Sequence, residues 1–232
     1  MTERETLMLV LHDAQLIFVR TRKTAGTSVE IALSRHATDR DIITSLSPRD
    51  EALRAREGGR PPQHHLHPGH TPRTTPVPPG PGDGIRFYNH MPATAIRDQL
   101  GPATWNRYLT ACLERSPYEK VISLYYHRHR HEPRPGIEEF IASGEFRDAL
   151  NWPLYTGPDG TVIVDVIIRH EHLQPGLNAL CARVGLPPLH LPHAKAHFRP
   201  PGTDYHQLLT PAARAAVENA FTTELDHHGY TW

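Results

Sequence analysis

The sequence predicts an α/β fold, a three-layer sandwich in which helices flank a central parallel β-sheet. Short apolar runs rich in β-branched residues alternate along the chain with longer, helix-like segments. Such alternation is typical of strands joined by crossover helices, which cover both faces of a parallel sheet. The length of 232 residues suits one domain, 1–232, and no internal repeat is visible.

The predicted strands are short apolar runs. In chain order they are 15–20 (QLIFVR), 85–90 (IRFYNH), 107–115 (RYLTACLER) and 161–168 (TVIVDVII). Helices are predicted at 27–35, 92–101, 116–131, 136–150, 172–185 and 210–229. Several of their ends have recognisable signals. Ser116, Pro117 and Glu119 have the spacing of an N-cap, an N1 proline and a capping box, and Gly229 follows the last helix.

The segment at about 47–84 departs from this alternation. It includes EGGRPPQHHLHPGHTPRTTPVPPGPGDG, a run rich in proline, glycine and histidine. Proline lacks the N–H that helices and sheets need, so we predict a long irregular insertion that serves as an acceptor loop or lid. The run HHLHPGH has no cysteine nearby, and a zinc site is therefore not favoured.

Charge and cysteine content exclude some classes of protein. Lys+Arg and Asp+Glu both number 25, so the formal net charge is zero and a general nucleic-acid binder is not expected. Cys112 and Cys181 lie in apolar contexts, which favours buried, reduced thiols. No apolar stretch is long enough for a membrane span and no signal peptide is recognisable, so we expect a cytoplasmic protein without an integral membrane segment.

The stretch TRKTAGTS, residues 21–28, separates the first predicted strand from the first helix. A helix N-terminus offers unpaired N–H groups and about half a positive charge, which favours anion binding. Gly26 allows close approach of the backbone, while Thr27 and Ser28 can direct hydroxyls to a phosphate. Lys23 adds a flexible cation, but it precedes the glycine, unlike in the G-x-x-x-x-G-K-[ST] loop. An ordinary capped strand–turn–helix is the alternative.

The longer stretch FVRTRKTAGTS resembles the PKTAGTS-type 5′-phosphosulfate loop of sulfotransferases that use 3′-phosphoadenosine 5′-phosphosulfate (PAPS) as donor. Arg22 stands where that family usually has proline. The resemblance is to bacterial and carbohydrate-type members and spans most of the chain except about 36–84. It implies a P-loop-kinase-like fold. It also implies donor binding by Arg22, Lys23, Thr24, Ala25, Gly26, Thr27 and Ser28.

The stretch LERSPYEKVISLYY resembles the second motif of this family, in which an arginine ends a strand and a serine follows eight residues later. The resemblance implies that Arg115 and Ser123 hold the donor's 3′-phosphate. A guanidinium group suits a dianionic phosphate because it can donate two parallel hydrogen bonds. The alternatives are a surface ion pair of Arg115 with Glu114 or Glu119, and a solvated helix position for Ser123.

The stretch FYNHMPATAI resembles the GHMPA segment of the family, with Asn89 in place of the usual glycine. The resemblance implies that His90 is the general base that deprotonates the acceptor, a role that suits an imidazole with a pKa near 6.5. Lys23 would then stabilise the bridging oxygen of the departing 3′-phosphoadenosine 5′-phosphate (PAP). This chemistry requires no metal.

The C-terminal half adds weaker similarities. The stretch AKAHFRP supplies Lys195 and Arg199, in the region where the family often closes on the donor. The stretch ALNWPLYTG places Asn151, Trp152 and Tyr155 near the donor or the acceptor, although core packing is the favoured role of Trp152.

Together these residues imply a sulfotransferase that moves the sulfuryl group from PAPS to a hydroxyl of a small-molecule, lipid or sugar acceptor by in-line transfer. The alternative is an ATP-dependent small-molecule kinase of P-loop fold, for which Asp165 is a weak candidate Mg²⁺ ligand. A catalytically silent nucleotide-binding protein is a third interpretation. The sequence indicates neither the acceptor nor the oligomeric state.

Overall fold

The computed structural model describes residues 8–70, 84, 86–192, 199–200 and 202–232. The strands are β1 (Leu9–Leu11), β2 (Leu16–Val19), β3 (Ile42–Ile43), β4 (Leu109–Glu114) and β5 (Val166–Arg169). The helices of the first half are α1 (Gly26–Ser34), α2 (Pro48–Arg56), α3 (Ala93–Leu100), α4 (Pro102–Arg107) and α5 (Pro117–Arg128). Those of the second half are α6 (Ile137–Ala142), α7 (Trp152–Tyr155), α8 (Leu173–Arg183), α9 (Tyr205–Leu208), α10 (Pro211–Ala220) and α11 (Thr222–His228).

The sheet is mixed, and its strand order is β3-β1-β2-β4-β5. β2 pairs with β4 and β4 pairs with β5 in parallel, whereas β1 runs antiparallel to both of its neighbours. The prediction of a parallel sheet is therefore confirmed for β2, β4 and β5. It is wrong at β1, a strand that was not predicted. A turn at 12–15 joins β1 to β2. Such a short link allows an antiparallel hairpin but not the crossover that parallel strands require.

Helices cover both faces of this sheet. Successive side chains of β2 point to opposite sides. Phe18 belongs to a buried cluster with Val29 of α1 and Leu177 of α8. Ile17 belongs to a different cluster, with Ile96 of α3. The predicted arrangement of helices flanking a central sheet is therefore confirmed. A third buried cluster is formed mainly by α5, α6 and α10.

The predicted helices are confirmed, with changes at their ends and two interruptions. The helix predicted at 136–150 divides into α6 and a 3₁₀ helix at Glu145–Ala149. Gly144 has a left-handed φ of 80° just after α6, a conformation that commonly ends a helix. The helix predicted at 210–229 divides into α10 and α11 at Phe221.

Two predicted strands differ from the structure. Residues 86–90 form bends and turns, so the strand predicted at 85–90 is wrong over its described residues. His90 has a left-handed φ of 51°, which lies outside the φ range of regular β-strands. In the strand predicted at 161–168, β5 begins only at Val166. Before it, Asp165 turns its carboxylate to the backbone N–H of Thr110, 2.8 Å away.

The insertion predicted at 47–84 is not irregular throughout. Pro48–Arg56 form α2, in which the side chain of Ser47 accepts a hydrogen bond from the Asp50 amide as N-cap. Pro48 starts this helix rather than preventing it, because the first N–H of a helix has no partner within the helix. The prediction of irregular structure is therefore wrong for this part. Residues 71–83 lie outside the described residues.

Cys112 and Cys181 are both free and buried, as predicted. Among the residues that the structure describes, no helix is both long enough and apolar enough to cross a membrane.

The sequence did not predict α2, and the contribution of its N-cap to stability can be tested by substitution. Ser47→Ala removes the acceptor of the Asp50 N–H, and we expect the free energy of unfolding to fall by about 1 kcal/mol. Urea denaturation measures this change. Thr223→Ala, at an exposed position in α11, is the matched control and should change stability by much less. Equal effects of the two substitutions would contradict the capping role of Ser47.

Candidate functional site

The loop that follows β2 and the residue that follows β4 leave the sheet at the same edge. β2 and β4 are parallel neighbours, and Val19 pairs with Cys112 near the carboxyl end of each strand. Thr21, in the loop, donates a hydrogen bond from Oγ1 to the carbonyl oxygen of Leu113 over 2.5 Å. The structure therefore brings the loop close to Arg115, although the two are far apart in the sequence.

The loop itself is a tight turn. Lys23 and Ala25 have positive φ angles of 61° and 70°, a conformation that is uncommon for residues with a Cβ atom. The hydroxyls of Thr21 and Thr24 are 2.8 Å apart across the turn. The Ser28 amide donates to the carbonyl oxygen of Ala25, which joins the loop to the first turn of α1.

The Asn151 side chain binds the backbone of the loop through two hydrogen bonds. The backbone N–H of Arg22 donates to Asn151 Oδ1 over 2.7 Å, and Asn151 Nδ2 donates to the carbonyl oxygen of Arg22 over 3.1 Å. Both polar backbone groups of Arg22 are thus bound to one side chain that is fully buried. The position of Lys23, the next residue, depends on this contact.

A buried group of charges lies behind Asn151. Lys120 Nζ is 2.8 Å from Glu114 Oε1 and also contacts Glu224 Oε2, and these three side chains have no exposed surface. Asn151 Nδ2 donates to Glu114 Oε1 over 3.2 Å, and the backbone N–H of Asn151 donates to Glu224 Oε1 over 2.6 Å. Burial raises the pKa of Glu224, and the nearby Lys120 ammonium opposes this. The network joins the loop to β4, α5 and α11.

Tyr155 and His228 complete this network. The Tyr155 hydroxyl is 3.0 Å from Glu114 Oε2 and 3.0 Å from His228 Nε2. Because a carboxylate can only accept, Tyr155 donates to Glu114 and accepts from His228, whose proton is therefore on Nε2. Burial lowers the pKa of His228 to about 4. The neutral form of this histidine therefore fits the folded state.

His90, the predicted general base, lies against the start of the loop. Its Nδ1 is 3.2 Å from the carbonyl oxygen of Arg20, the residue that precedes the loop threonine. A carbonyl oxygen can only accept, so Nδ1 carries a proton and the lone pair of the neutral ring is on Nε2. The structure thus places His90 next to the residue that precedes the Lys23 loop.

Arg115 forms the ion pair with Glu119 that the sequence offered as an alternative. Its Nη2 is 2.7 Å from Glu119 Oε2, and Arg199 Nη1 contacts the same oxygen. The three side chains are 18% to 23% exposed. Burial lowers the pKa of Arg115, and Arg199 acts in the same direction. Two predicted donor-binding arginines therefore converge on one carboxylate.

The other predicted donor-binding residues differ in how the structure places them. Ser123 is half-buried on α5, four residues after Glu119 and so on the same face of the helix. Arg22 directs its Nη1 to the carbonyl oxygen of Leu150, 3.1 Å away. Gly26, Thr27 and Ser28 form the buried first turn of α1. Lys195 lies outside the described residues.

The sequence did not identify the charges that support the site. Glu114 and Lys120 lie among apolar residues of β4 and α5, and a charge in such a pattern is the one signal that could have revealed them. Trp152 belongs to the cluster under α3 and α4, in keeping with a packing role. Within the described residues, no group of three or more His, Cys, Asp or Glu side chains could hold a metal ion.

Comparison with known proteins gives a relative but no activity. No family model matches the chain, and no solved structure matches it. A protein from Archaeoglobus fulgidus, described as uncharacterized, is 40% identical over 101 residues, which cover 42% of this chain and 84% of that protein. The chain therefore belongs to the same family as this archaeal protein.

His228 makes stability depend on pH. Between pH 6.5 and about pH 4 the unfolded chain binds a proton at this position that the folded protein does not bind. The free energy of unfolding should therefore fall as the pH falls through this range. His228→Gln keeps an N–H donor for Tyr155 but cannot titrate, so we expect a shallower decline of stability between pH 6.5 and pH 4, measured by urea denaturation.

The exposed His190 provides the matched control for this measurement. His190→Gln should leave the dependence of stability on pH as it is in the wild type. If His228→Gln also left it unchanged, the buried, neutral state assigned to His228 would be wrong.

Proposed function

We propose that this protein is a cytoplasmic sulfotransferase that uses PAPS and transfers its sulfuryl group to a hydroxyl of a small-molecule, lipid or sugar acceptor. The main support is the convergence of three sequence-distant motifs, the loop around Lys23, the arginine Arg115 and His90, at one edge of the sheet. Each motif resembles a segment of PAPS-dependent sulfotransferases. A chance resemblance in three separate segments would not require them to be neighbours.

The donor would be held at two places by its two phosphate groups. The N-terminal turn of α1 offers the N–H groups of Gly26 and Thr27 and the hydroxyls of Thr27 and Ser28 to the 5′-phosphate. Arg115 and Arg199 offer two guanidinium groups to the 3′-phosphate, and Ser123 lies on the same helix face as Glu119, their shared partner. Lys195 is assigned to the same end of the donor by resemblance alone. These charges suit a donor with two anionic groups.

The remaining residues would act on the reacting groups. PAPS supplies an activated sulfuryl group, and PAP is the leaving group. His90 would take the proton of the acceptor hydroxyl on Nε2, because the Arg20 carbonyl oxygen fixes the ring proton on Nδ1. Lys23 would stabilise the negative charge that develops on the bridging oxygen. Asn151 would keep Lys23 in place by holding both backbone groups of Arg22.

The alternative of an ATP-dependent kinase has less support. A kinase needs a carboxylate for Mg²⁺, and Asp165 was the candidate for this role. The structure shows Asp165 Oδ2 bound to the backbone N–H and the hydroxyl of Thr110, at 2.8 and 2.7 Å. This carboxylate is therefore already used to align β4 with the segment before β5.

Binding of nucleotides distinguishes the two functions. We expect PAP to raise the melting temperature in the absence of Mg²⁺, and by more than ADP or adenosine 5′-phosphate does, because only PAP carries a 3′-phosphate. Arg115→Ala should remove the advantage of PAP over adenosine 5′-phosphate. Arg128→Ala, at the other end of α5, is the matched control and should keep it. A shift with ADP that requires Mg²⁺ would support the kinase instead.

The role of His90 is tested by kinetics with a labelled donor and a panel of acceptors. His90→Ala should lower turnover by about 10²–10⁴-fold, the usual contribution of a general base. The affinity for PAP should stay within about twofold, because the base acts on the acceptor rather than on the donor. His131→Ala, at an exposed position after α5, is the control. Unchanged turnover in His90→Ala would show that another group is the base.

A further inference from the structure

An arginine to which the resemblance assigns no role lies beneath the loop. Arg20 follows β2 directly and is only 6% exposed. Its Nη2 is 2.6 Å from Thr27 Oγ1, in the first turn of α1. Its side chain also passes close to Gly26, where an added Cβ atom would lie 3.0 Å from Arg20 Cγ. The lack of a side chain at Gly26 therefore leaves room for the buried side chain of Arg20.

The direction of the contact with Thr27 determines how that hydroxyl can be used. A guanidinium group has no acceptor, so Arg20 donates and Thr27 Oγ1 accepts. The hydroxyl can still donate its own proton. Because one lone pair is engaged from below, the O–H is biased to act as a donor, which is the role that a phosphate oxygen needs from it.

A second buried group of charged side chains holds Arg20 in place. Glu30 Oε2 lies 3.7 Å from Arg20 Nη1, and Glu30 Oε1 lies 3.0 Å from Arg54 Nη2. Arg54 comes from α2 and also contacts Glu51 at 2.9 Å and the carbonyl oxygen of Thr44 at 3.3 Å. Arg54 and Glu30 are almost completely buried. The α2 segment is thus connected to the loop through three charged side chains.

We infer that Arg20 is a positioning residue, which binds Thr27 and thereby directs the Thr27 hydroxyl toward the 5′-phosphate of the donor. This inference rests on the proposed function, because it concerns the same donor. It assigns Arg20 an effect that depends on Thr27. An arginine that contacted the phosphate itself, or that only stabilised the fold, would act independently of the Thr27 hydroxyl.

A double-mutant cycle on PAP binding separates these possibilities. Isothermal titration calorimetry would give the PAP dissociation constant of the wild type, Arg20→Met, Thr27→Val and the double variant. Each single substitution should weaken binding about tenfold, as expected for a hydrogen bond to a charged group. The double variant should bind as weakly as either single variant and no weaker. Thr27→Ser, which keeps the hydroxyl, should bind PAP like the wild type.

Three outcomes would overturn the inference. If the effects of Arg20→Met and Thr27→Val on affinity multiply, Arg20 acts without Thr27. If Arg20→Met binds PAP like the wild type, Arg20 has no part in donor binding. If the wild type itself does not bind PAP, the proposed function fails and this inference fails with it. Arg20→Lys, which keeps a cation beside Glu30, replaces Arg20→Met in the same cycle if the latter does not fold.

Discussion

The ammonium group of Lys120 is the constraint on which the candidate site depends. It has no exposed surface and lies between the carboxylates of Glu114 and Glu224. Loss of either partner would leave a buried charge without compensation, which is strongly destabilising. The two carboxylates exceed the single ammonium by one negative charge. Donors from Asn151 and Tyr155 surround them and stabilise this excess. The network therefore fixes β4, α5, α7 and α11 relative to one another.

The shape of the loop depends on this network and on the second buried group of charges, formed by Arg20, Glu30 and Arg54. Two of its residues, Lys23 and Ala25, adopt left-handed conformations, which persist only where the surroundings impose them. Asn151 imposes them from the side of the Lys120 network, and Arg20, supported by Glu30, lies under the first turn of α1. Donors held in this way need little rearrangement when charge develops on a ligand, which is the main source of electrostatic catalysis.

Features that depend on a few neighbouring residues could be predicted from the sequence. Contacts between residues far apart in the chain required the tertiary structure. The turn after β2 and the start of α5 were predictable because glycine and proline act within a few residues. The predicted capping box is wrong, since the Ser116 side chain makes no capping hydrogen bond. The pairing of Lys120 with Glu224 was not predictable, since the two are 104 positions apart. The apolar residues around Phe87 predict a strand, but Phe87 is buried in the cluster of α3 and α4. β1 was missed because three residues give too short a pattern to recognise.

The ion pair at Arg115 and the proposed phosphate site are compatible. Two arginines that lie close together and are mostly buried repel each other, and burial without a counter-ion is costly. Glu119 supplies that counter-ion to Arg115 through Oε2 and to Arg199 through both carboxylate oxygens. The three groups together keep a net charge of one positive unit, so an anion is still attracted. A phosphate monoester dianion has three terminal oxygens to share between the two guanidinium groups, one more than the Glu119 carboxylate offers. Under the proposed function, the ion pair is therefore the arrangement of the two arginines in the protein without donor.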